Sequence, residues 1–178
     1  ELVERGWVGQ KAGKGFYMRV KEDGKSTILA LDVDSFEYRE RRNFVTPSLK
    51  VAAETEDVAE RLRGLATADD AAGHFAWRIL SRTLAYSASM VGVVAADIVS
   101  IDRAMRWGYA WESGPFATWD ALGVAESVDR MEADGIAVPD WVADIAAQSG
   151  SFYHHGPDGT TQATPQGGYA PVSKPSLP

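Results

Sequence analysis

The sequence contains no cysteine among its 178 residues, which excludes both disulfide bonds and thiolate metal sites. It also lacks any apolar run close to the ~20 residues that a membrane-spanning helix requires. The missing cysteine fits a reducing compartment. We therefore expect a cytoplasmic protein without a membrane span.

An excess of positive charge is absent too, because the formal net charge is -7. Nucleic-acid binding requires clustered Lys and Arg that displace counterions from phosphates. The densest basic group, Arg39, Arg41 and Arg42, lies among acidic residues that largely cancel its field. We interpret it as a solvated strand or loop face and do not expect nucleic acid as a partner.

Histidine is scarce: the chain has His74, His154 and His155. None of them stands in a pattern typical of a hydrolase, in which a nucleophile, a base and an orienting acid come together. In a strand, neighbouring residues point to opposite faces, so the adjacent pair is disfavoured as joint metal ligands and is interpreted as a hairpin surface. We predict no catalytic, cofactor-binding or metal-binding residue in this chain.

The residues that are present predict a mainly helical globular protein, with 45% hydrophobic residues and six Trp. Thr46 before Pro47 predicts one helix start, and Thr55 is expected to cap a second helix. Apolar spacing predicts a long helix from Asp69 or Asp70. Three further helices are marked by proline and glycine, and they follow a stripe that ends at Gly108: the first opens at 114–115 and closes at Gly123, and the others span 124–134 and 139–148.

Small β hairpins complete the predicted fold. Residues 16–20 and 26–31 are β-prone and flank the turn signal Asp23-Gly24. Residues 1–6 are typical of the last turn of a helix, from which we expect that an earlier part of the polypeptide is missing.

The start of this hairpin recurs later in the chain. Phe16-Tyr17 precedes one Asp-Gly pair, and Phe152-Tyr153 precedes another. Both copies follow a helical segment that ends at glycine, so we interpret the chain as a tandem unit of helices closed by a hairpin, with the first copy mostly missing. Chance similarity of two short hairpins is the alternative.

The glycine-rich run at residues 9–15 does not match a phosphate-binding loop. Three residues separate Gly9 from Gly13-Lys14 where a Walker loop has four, and Gly15 stands where Ser or Thr would hold magnesium. The spacing of a Rossmann fingerprint fails as well. We interpret the run as a tight connection from helix to hairpin.

Two carboxylates and an aromatic cluster remain as candidate functional groups. Asp102 flanks an apolar stripe together with Asp97, and Asp120 lies within residues 116–122. A buried carboxylate there is either functional or a structural cap for backbone N–H groups worth ~1 kcal/mol; we favour capping, with Asp102 and Asp120 holding adjacent helix ends. The aromatic residues are either core or a docking face. They are Trp107, Tyr109, Trp111, Phe116 and Trp119.

Two motifs resemble one protein family. The first is the pattern Gly-x-Lys-x-Gly-x-Gly-Phe-Tyr at residues 9–17, and the second is Asp102-Arg-Ala-Met followed by Gly114-Pro115-Phe116 and Asp120. Both are similar to motifs in the C-terminal domain of 3-hydroxyacyl-CoA dehydrogenases. This resemblance implies an all-α fold with small β hairpins, like the C-terminal domain of 6-phosphogluconate dehydrogenase.

The resemblance also implies an organisation. Residues 1–31 would end a first helical repeat with its hairpin, 32–68 would connect, 69–164 would form a second repeat, and 165–178 would be a tail or linker rich in Pro and Gly. The parent would use NAD, bound by an upstream Rossmann domain, to oxidise an acyl-CoA substrate in fatty-acid β-oxidation. An enoyl-CoA hydratase domain is a possible downstream neighbour.

The chain departs from the family where the family contacts substrate. The family's catalytic His and Glu belong to the Rossmann domain, so we expect a fragment that is inactive alone and holds no cofactor. An Asn-Arg pair of the family corresponds here to Trp77-Arg78, and a later Asn-Glu pair to Ala85-Tyr86. This repeat is therefore expected to be structural and to shape the acyl-CoA cleft.

We expect contacts with another domain or subunit at five residues, which are Trp111, Gly114, Pro115, Phe116 and Trp119. The alternative function is a stand-alone helical module that binds a protein partner through the same face.

Overall fold

The computed structural model describes residues 1–22, 24–148 and 150–173, and it divides into two compact units, Glu1–Val45 and Thr46–Pro178. The predicted connecting segment, residues 32–68, is thus divided between the units. The predicted fold class is confirmed, because helices dominate and the strands form small antiparallel sheets. No helix within the described ranges is long and apolar enough to cross a membrane.

The first unit is a three-stranded antiparallel meander. Its strands are β1 (Tyr17–Glu22), β2 (Lys25–Leu31) and β3 (Tyr38–Glu40), in that spatial order. The first two confirm the predicted hairpin, although the turn residue Asp23 lies outside the described residues. Gly24 has φ +80°, the left-handed backbone that favours glycine.

The glycine-rich run before β1 is the tight connection that the sequence indicates. The Gly9 N–H donates to the Lys14 carbonyl at 3.0 Å, which folds the run back on itself. A Cβ at Gly15 would lie 2.8 Å from the Gly9 Cα, closer than side chains approach a backbone. Glycine at position 15 therefore allows the backbone at this position to approach the backbone at Gly9.

Seven helices and a second meander form the second unit in the part of the chain that the structure describes. The helices are α1 (Pro47–Glu54), α2 (Val58–Thr67), α3 (Ala71–Ser89), α4 (Ile98–Tyr109), α5 (Pro115–Leu122), α6 (Val124–Ala133) and α7 (Asp140–Gln148). The strands are β4 (Tyr153–Gly156), β5 (Gly159–Ala163) and β6 (Tyr169–Pro171), again in spatial order.

Side chains cap these helices largely as predicted. Thr46 accepts a hydrogen bond from the Leu49 N–H at 3.3 Å at the start of α1, and Asp70 accepts one from the Gly73 N–H at 2.9 Å at the start of α3. Two backbone donors that the helix itself leaves unpaired are satisfied in this way.

The predicted cap of α2 is wrong. Asp57, not Thr55, accepts the hydrogen bond from the Glu60 N–H, at 2.7 Å. The Thr55 hydroxyl instead donates back to the Val51 carbonyl at 2.8 Å, at the end of α1. Two cap-forming residues lie close together here, and the one nearer the first turn of α2 takes the role.

The segment predicted to be a tail or linker, residues 165–178, contains a strand, because β6 lies there. Its residues pair with β5 in the register Thr161↔Pro171 and Ala163↔Tyr169. As an edge strand, β6 tolerates a proline without losing a ladder hydrogen bond. Residues 174–178 of the predicted tail lie outside the described residues.

The core of the second unit is built on the apolar stripe of α3. Trp77, Leu84 and Ala88 are buried, as helical spacing predicts. The largest fully buried side chains elsewhere in this unit include Ile98, Phe116, Trp119, Val124, Met131, Val142 and Phe152.

Close approach of α3 to the chain after α2 yields a stability prediction. A Cβ at Gly73 would lie 2.1 Å from the Ala68 carbonyl oxygen, so Gly73→Ala should destabilise the chain by about 2–3 kcal/mol through overpacking against backbone. Gly64 of α2 has open space at its Cβ position, so Gly64→Ala should stabilise by about 0.5–1 kcal/mol. Urea denaturation measures both; a gain at position 73 or a loss at position 64 would contradict the packing described.

Candidate functional site

The candidate site consists of two carboxylates, Asp102 and Asp120, which we call the carboxylate pair. Asp102 belongs to α4 and is buried. Its two oxygens accept hydrogen bonds from the Phe116 N–H at 2.8 Å and the Ala117 N–H at 3.0 Å, in the first turn of α5. A negative charge there is favoured by the helix dipole as well as by the hydrogen bonds. Asp102 thus joins two helices, which confirms its predicted capping role.

Gly114 makes this joint sterically possible. It is the N-cap of α5 and has no side chain with which to cap the helix. A Cβ at this position would lie 2.3 Å from the Asp102 Cγ and 2.6 Å from its Cα. The glycine of the Gly-Pro-Phe motif therefore leaves room for a carboxylate from a different helix, and Pro115 at the first helical position needs no N–H partner.

Asp120, near the end of α5, holds the start of the second meander. It accepts hydrogen bonds from the Phe152 N–H at 2.6 Å and the Tyr153 N–H at 2.9 Å. The donors belong to the meander and not to a helix end, so the predicted capping role is confirmed for backbone N–H groups but not for a helix. The Tyr153 hydroxyl donates to Asp102 at 3.0 Å and links the two carboxylates.

Phe152 inserts between the helices beside this network. It is fully buried, and its ring lies 5.1 Å from that of Phe116 and 5.2 Å from that of Trp119, measured between centroids. Trp141 of α7 completes the cluster at 5.8 Å. Such aromatic contacts add to the free energy of burial. The Phe-Tyr pair therefore fastens the meander to the helices by one buried ring and two backbone N–H groups.

Burial dominates the electrostatics of the carboxylate pair. Desolvation raises the pKa of Asp102, although its bonds to Phe116 and Ala117 oppose the shift. Desolvation likewise raises the pKa of Asp120 to about 6, against the opposing hydrogen bonds from Phe152 and Tyr153. The pKa of the Tyr153 hydroxyl is raised by its burial and by the neighbouring Asp102 charge. Tyr153 is therefore a donor at any ordinary pH.

A cleft of about 400 Å3 borders Asp102 and is also lined by Tyr153, Arg103, Arg106, Glu112 and His155, among others. A raised carboxyl pKa in a cleft is a common sign of a catalytic acid or base. Here the oxygens of Asp102 already accept two backbone N–H groups and one phenol. The geometry therefore gives the pair a structural role.

The predicted interface residues lie mostly in the core. Gly114, Pro115, Phe116 and Trp119 are buried within the second unit, so the interface expectation is wrong for these four. They pack instead in the contact region where α4, α5 and the second meander meet. Trp111 is 39% exposed, and an interface role stays a prediction for it.

The sequence left open whether the aromatic cluster is core or a docking face, and the structure gives different answers for different members. Phe116 and Trp119 are core, whereas Trp107 and Tyr109 are exposed at the end of α4. A second exposed apolar face lies on α3 and was missed by the sequence reasoning. Its residues are Phe75, Ile79 and Tyr86. Their spacing of four and seven was the available signal, since it places them on one side of the helix, opposite Leu84.

The histidines lie on the surface. His154 stacks on Tyr169 with centroids 4.1 Å apart, and the His155 Nδ1 lies 3.0 Å from the Thr160 hydroxyl. His74, in the first turn of α3, contacts Asp69 at 3.0 Å. In residues 1–22, 24–148 and 150–173, no three His, Cys, Asp or Glu side chains are grouped to hold a metal.

At the positions where the family resemblance implies substrate contacts, the side chains serve packing. Trp77 is buried, its Nε1 donates to Asp134 at 2.6 Å, and the Arg130 guanidinium lies over its ring at 4.1 Å. Ala85 is buried in the core and Tyr86 is exposed. Neither position presents the amide that the family carries.

Comparison with known proteins agrees with the two motifs. The chain is 37% identical over 174 residues to a Bacillus subtilis (strain 168) protein named "Probable 3-hydroxyacyl-CoA dehydrogenase"; the match covers 98% of this chain and 22% of that protein. Proteins from Rickettsia felis and Rickettsia prowazekii, both named "Putative fatty acid oxidation complex trifunctional enzyme", are 26% and 27% identical over 65% of the chain and 15% of their own length. No protein-family model and no solved structure matches.

The architecture and the carboxylate pair define a helical module closed by a β-meander. By sequence, the chain belongs to the 3-hydroxyacyl-CoA dehydrogenase family, as the motifs indicate. It spans about a fifth of the length of the Bacillus subtilis relative and less of the Rickettsia ones.

The network around Asp102 predicts a large loss of stability when its carboxylate is removed. Asp102→Ala leaves a buried N–H, a half-buried N–H and a phenol without their acceptor, which should cost about 3 kcal/mol or more. Asp97→Ala is the matched control, because Asp97 caps α4 in an exposed setting through the Ser100 N–H and should cost about 1 kcal/mol. Equal losses in urea denaturation would show that the joint adds nothing beyond an ordinary cap.

The raised pKa of Asp120 predicts a pH dependence. Its carboxyl holds a proton more tightly in the folded chain, with a pKa of about 6, than at its ordinary value of 3.8. The stability it contributes is therefore complete below pH 3.8 and is lost as the pH rises through 6. The free energy of unfolding of the unsubstituted chain should fall relative to that of Asp120→Asn between pH 4 and pH 7, by on the order of 1–3 kcal/mol. Parallel pH profiles would exclude the shift.

Proposed function

We propose that this chain is the helical part of an NAD-dependent (S)-3-hydroxyacyl-CoA dehydrogenase of fatty-acid β-oxidation. The observation that carries the proposal is the 37% identity along 98% of the chain to the Bacillus subtilis relative, which is named a probable 3-hydroxyacyl-CoA dehydrogenase. The Rickettsia names, which refer to trifunctional enzymes of fatty acid oxidation, support a parent with several domains. In the parent, we place the NAD site in an upstream Rossmann domain and an enoyl-CoA hydratase domain as a possible neighbour.

The role of this part is to shape the acyl-CoA cleft and to contact other domains, without catalysis of its own. The carboxylate pair supports this role, because both acids are held by backbone N–H groups and neither is left as a base. Trp77 at the position of the family's amide supports it as well. The exposed face of α3 and Trp111 offer apolar surface for interdomain or dimer contacts.

Charge limits the contact with substrate that we assign to this part. Coenzyme A is polyanionic and the chain carries a formal net charge of -7, which disfavours it as the main CoA site. Arg103 and Arg106 line the cleft beside Asp102 and could each contact a phosphate, but Asp102 and Glu112 also line it, so we assign only a partial contact there. A cytoplasmic location belongs to the same proposal.

The test is calorimetric titration of the 178-residue chain with NADH and, separately, with acetoacetyl-CoA, beside an assay for oxidation of a 3-hydroxyacyl-CoA. We expect no NADH binding, weak or absent CoA binding and no turnover. The Bacillus subtilis relative, assayed in parallel, is expected to oxidise the substrate.

Either of two results would overturn the proposal. Tight NADH binding or turnover by the isolated chain would mean that it holds a nucleotide site of its own. The second result is a Bacillus subtilis relative that is folded but inactive and binds neither NADH nor acyl-CoA; the parent could then not be assigned this activity.

A further inference from the structure

The two β-meanders of the chain share a backbone plan. The Leu31 N–H donates to the Phe16 carbonyl at 2.9 Å, and the Ala163 N–H donates to the Phe152 carbonyl at 2.8 Å. In each hairpin, this bond joins the residue directly before the first strand to the last residue of the second strand. The two Phe residues therefore occupy the same place in the two sheets.

The third strands match as well. The Tyr38 hydroxyl of β3 donates to the Gly15 carbonyl at 2.6 Å, and the Tyr169 hydroxyl of β6 donates to the Ser151 carbonyl at 2.7 Å. In each meander, the acceptor directly precedes the Phe. A chance resemblance of two Phe-Tyr hairpins does not explain a shared long-range tyrosine bond, so the contacts favour two copies of one unit.

The copies differ in what covers them. Phe152 is 0% exposed and fastened to α5, whereas Phe16 is 61% exposed. Tyr153 reaches the Asp102 carboxylate, whereas Tyr17 is 61% exposed. The described residues of the first unit contain no α-helix, and no described residue accepts a hydrogen bond from the Phe16 N–H.

We propose that Phe16 and Tyr17 form a docking surface for a helical pair of the α4–α5 type, located elsewhere in a longer polypeptide. Two carboxylates of that pair accept the two backbone N–H groups and the Tyr17 hydroxyl, and a pocket between its helices takes the Phe16 ring. The inference goes beyond the proposed function, because it rests on the paired meanders and not on any enzymatic activity.

Three observations favour this occupant over a second copy of the chain. The α4–α5 pair of a second copy is already filled by its own Phe152 and Tyr153. Residues 1–45 hold nine Lys and Arg against eight Asp and Glu, so this unit lacks the acidic excess of the chain and suits a carboxylate-bearing partner. The Bacillus subtilis relative is several times longer than the matched region, which leaves room for such helices.

The experiment compares the isolated chain with a chimera in which this chain replaces its matching region in the Bacillus subtilis relative. The variant is Phe16→Asp, and the matched control is Val33→Asp, since Val33 is 60% exposed in the same unit and lies in the segment between β2 and β3, outside the Phe-Tyr pair. In the isolated chain, both variants should leave the thermal unfolding midpoint almost unchanged. In the chimera, Phe16→Asp should lower it by about 5 °C or more, and Val33→Asp should not.

A second variant tests the hydroxyl. Tyr17→Phe should give a smaller downward shift in the chimera and none in the isolated chain, as a bond to a carboxylate requires. Equal effects of Phe16→Asp and Val33→Asp in the chimera would overturn the proposal, as would a chimera whose upstream part unfolds even with Phe16 in place. An isolated chain that is dimeric and dissociates on Phe16→Asp would identify a second copy as the occupant instead. A chimera stabilised through Phe16 that fails to oxidise substrate would uphold the docking and contradict the proposed function.

Discussion

The second unit depends on the capture of backbone N–H groups by two carboxylates, the buried Asp102 and the half-buried Asp120. The first turn of α5 and the start of the second meander, Phe152 and Tyr153, both have donors that their own elements leave unpaired, and burial without an acceptor would be costly. Asp102 and Asp120 satisfy four of these donors and bring α4, α5 and the meander together. Because a carboxylate has two acceptor oxygens, one residue can hold two consecutive N–H groups, which a hydroxyl cannot do as well. The absence of a side chain at Gly114 and the insertion of Phe152 both follow from this arrangement.

The sequence was sufficient for features set by local chemistry. Glycine and proline punctuation predicted the bounds of α5, α6 and α7 closely, because a cap is decided within a few residues. The carboxylates were correctly expected to bind backbone N–H groups. Their partners were harder to predict, since the Phe152 N–H lies 32 residues along the chain from Asp120 and no local rule connects the two.

Features that depend on tertiary context were not predictable in the same way. A tryptophan is as compatible with a core as with an interface, so composition alone did not separate buried Trp119 from exposed Trp107. The short strand β6 contains no β-branched residue and shows no alternation of apolar and polar residues. Only its pairing with β5 makes it a strand. Proline and glycine around it are typical of a linker, and here they form the edge of a sheet.

A raised carboxyl pKa does not by itself identify a catalytic group, and the carboxylate pair illustrates why. Desolvation raises the pKa of both acids, which at an active site would favour proton transfer near neutral pH. Proton transfer also requires a lone pair directed at a substrate, and these oxygens are directed at backbone N–H groups and at the Tyr153 hydroxyl. The same reasoning applies to Trp77, whose Nε1 is committed to Asp134. The oxygens of Asp102 and Asp120 and the Nε1 of Trp77 are therefore all engaged in contacts within the second unit, where they hold its helices and its meander together.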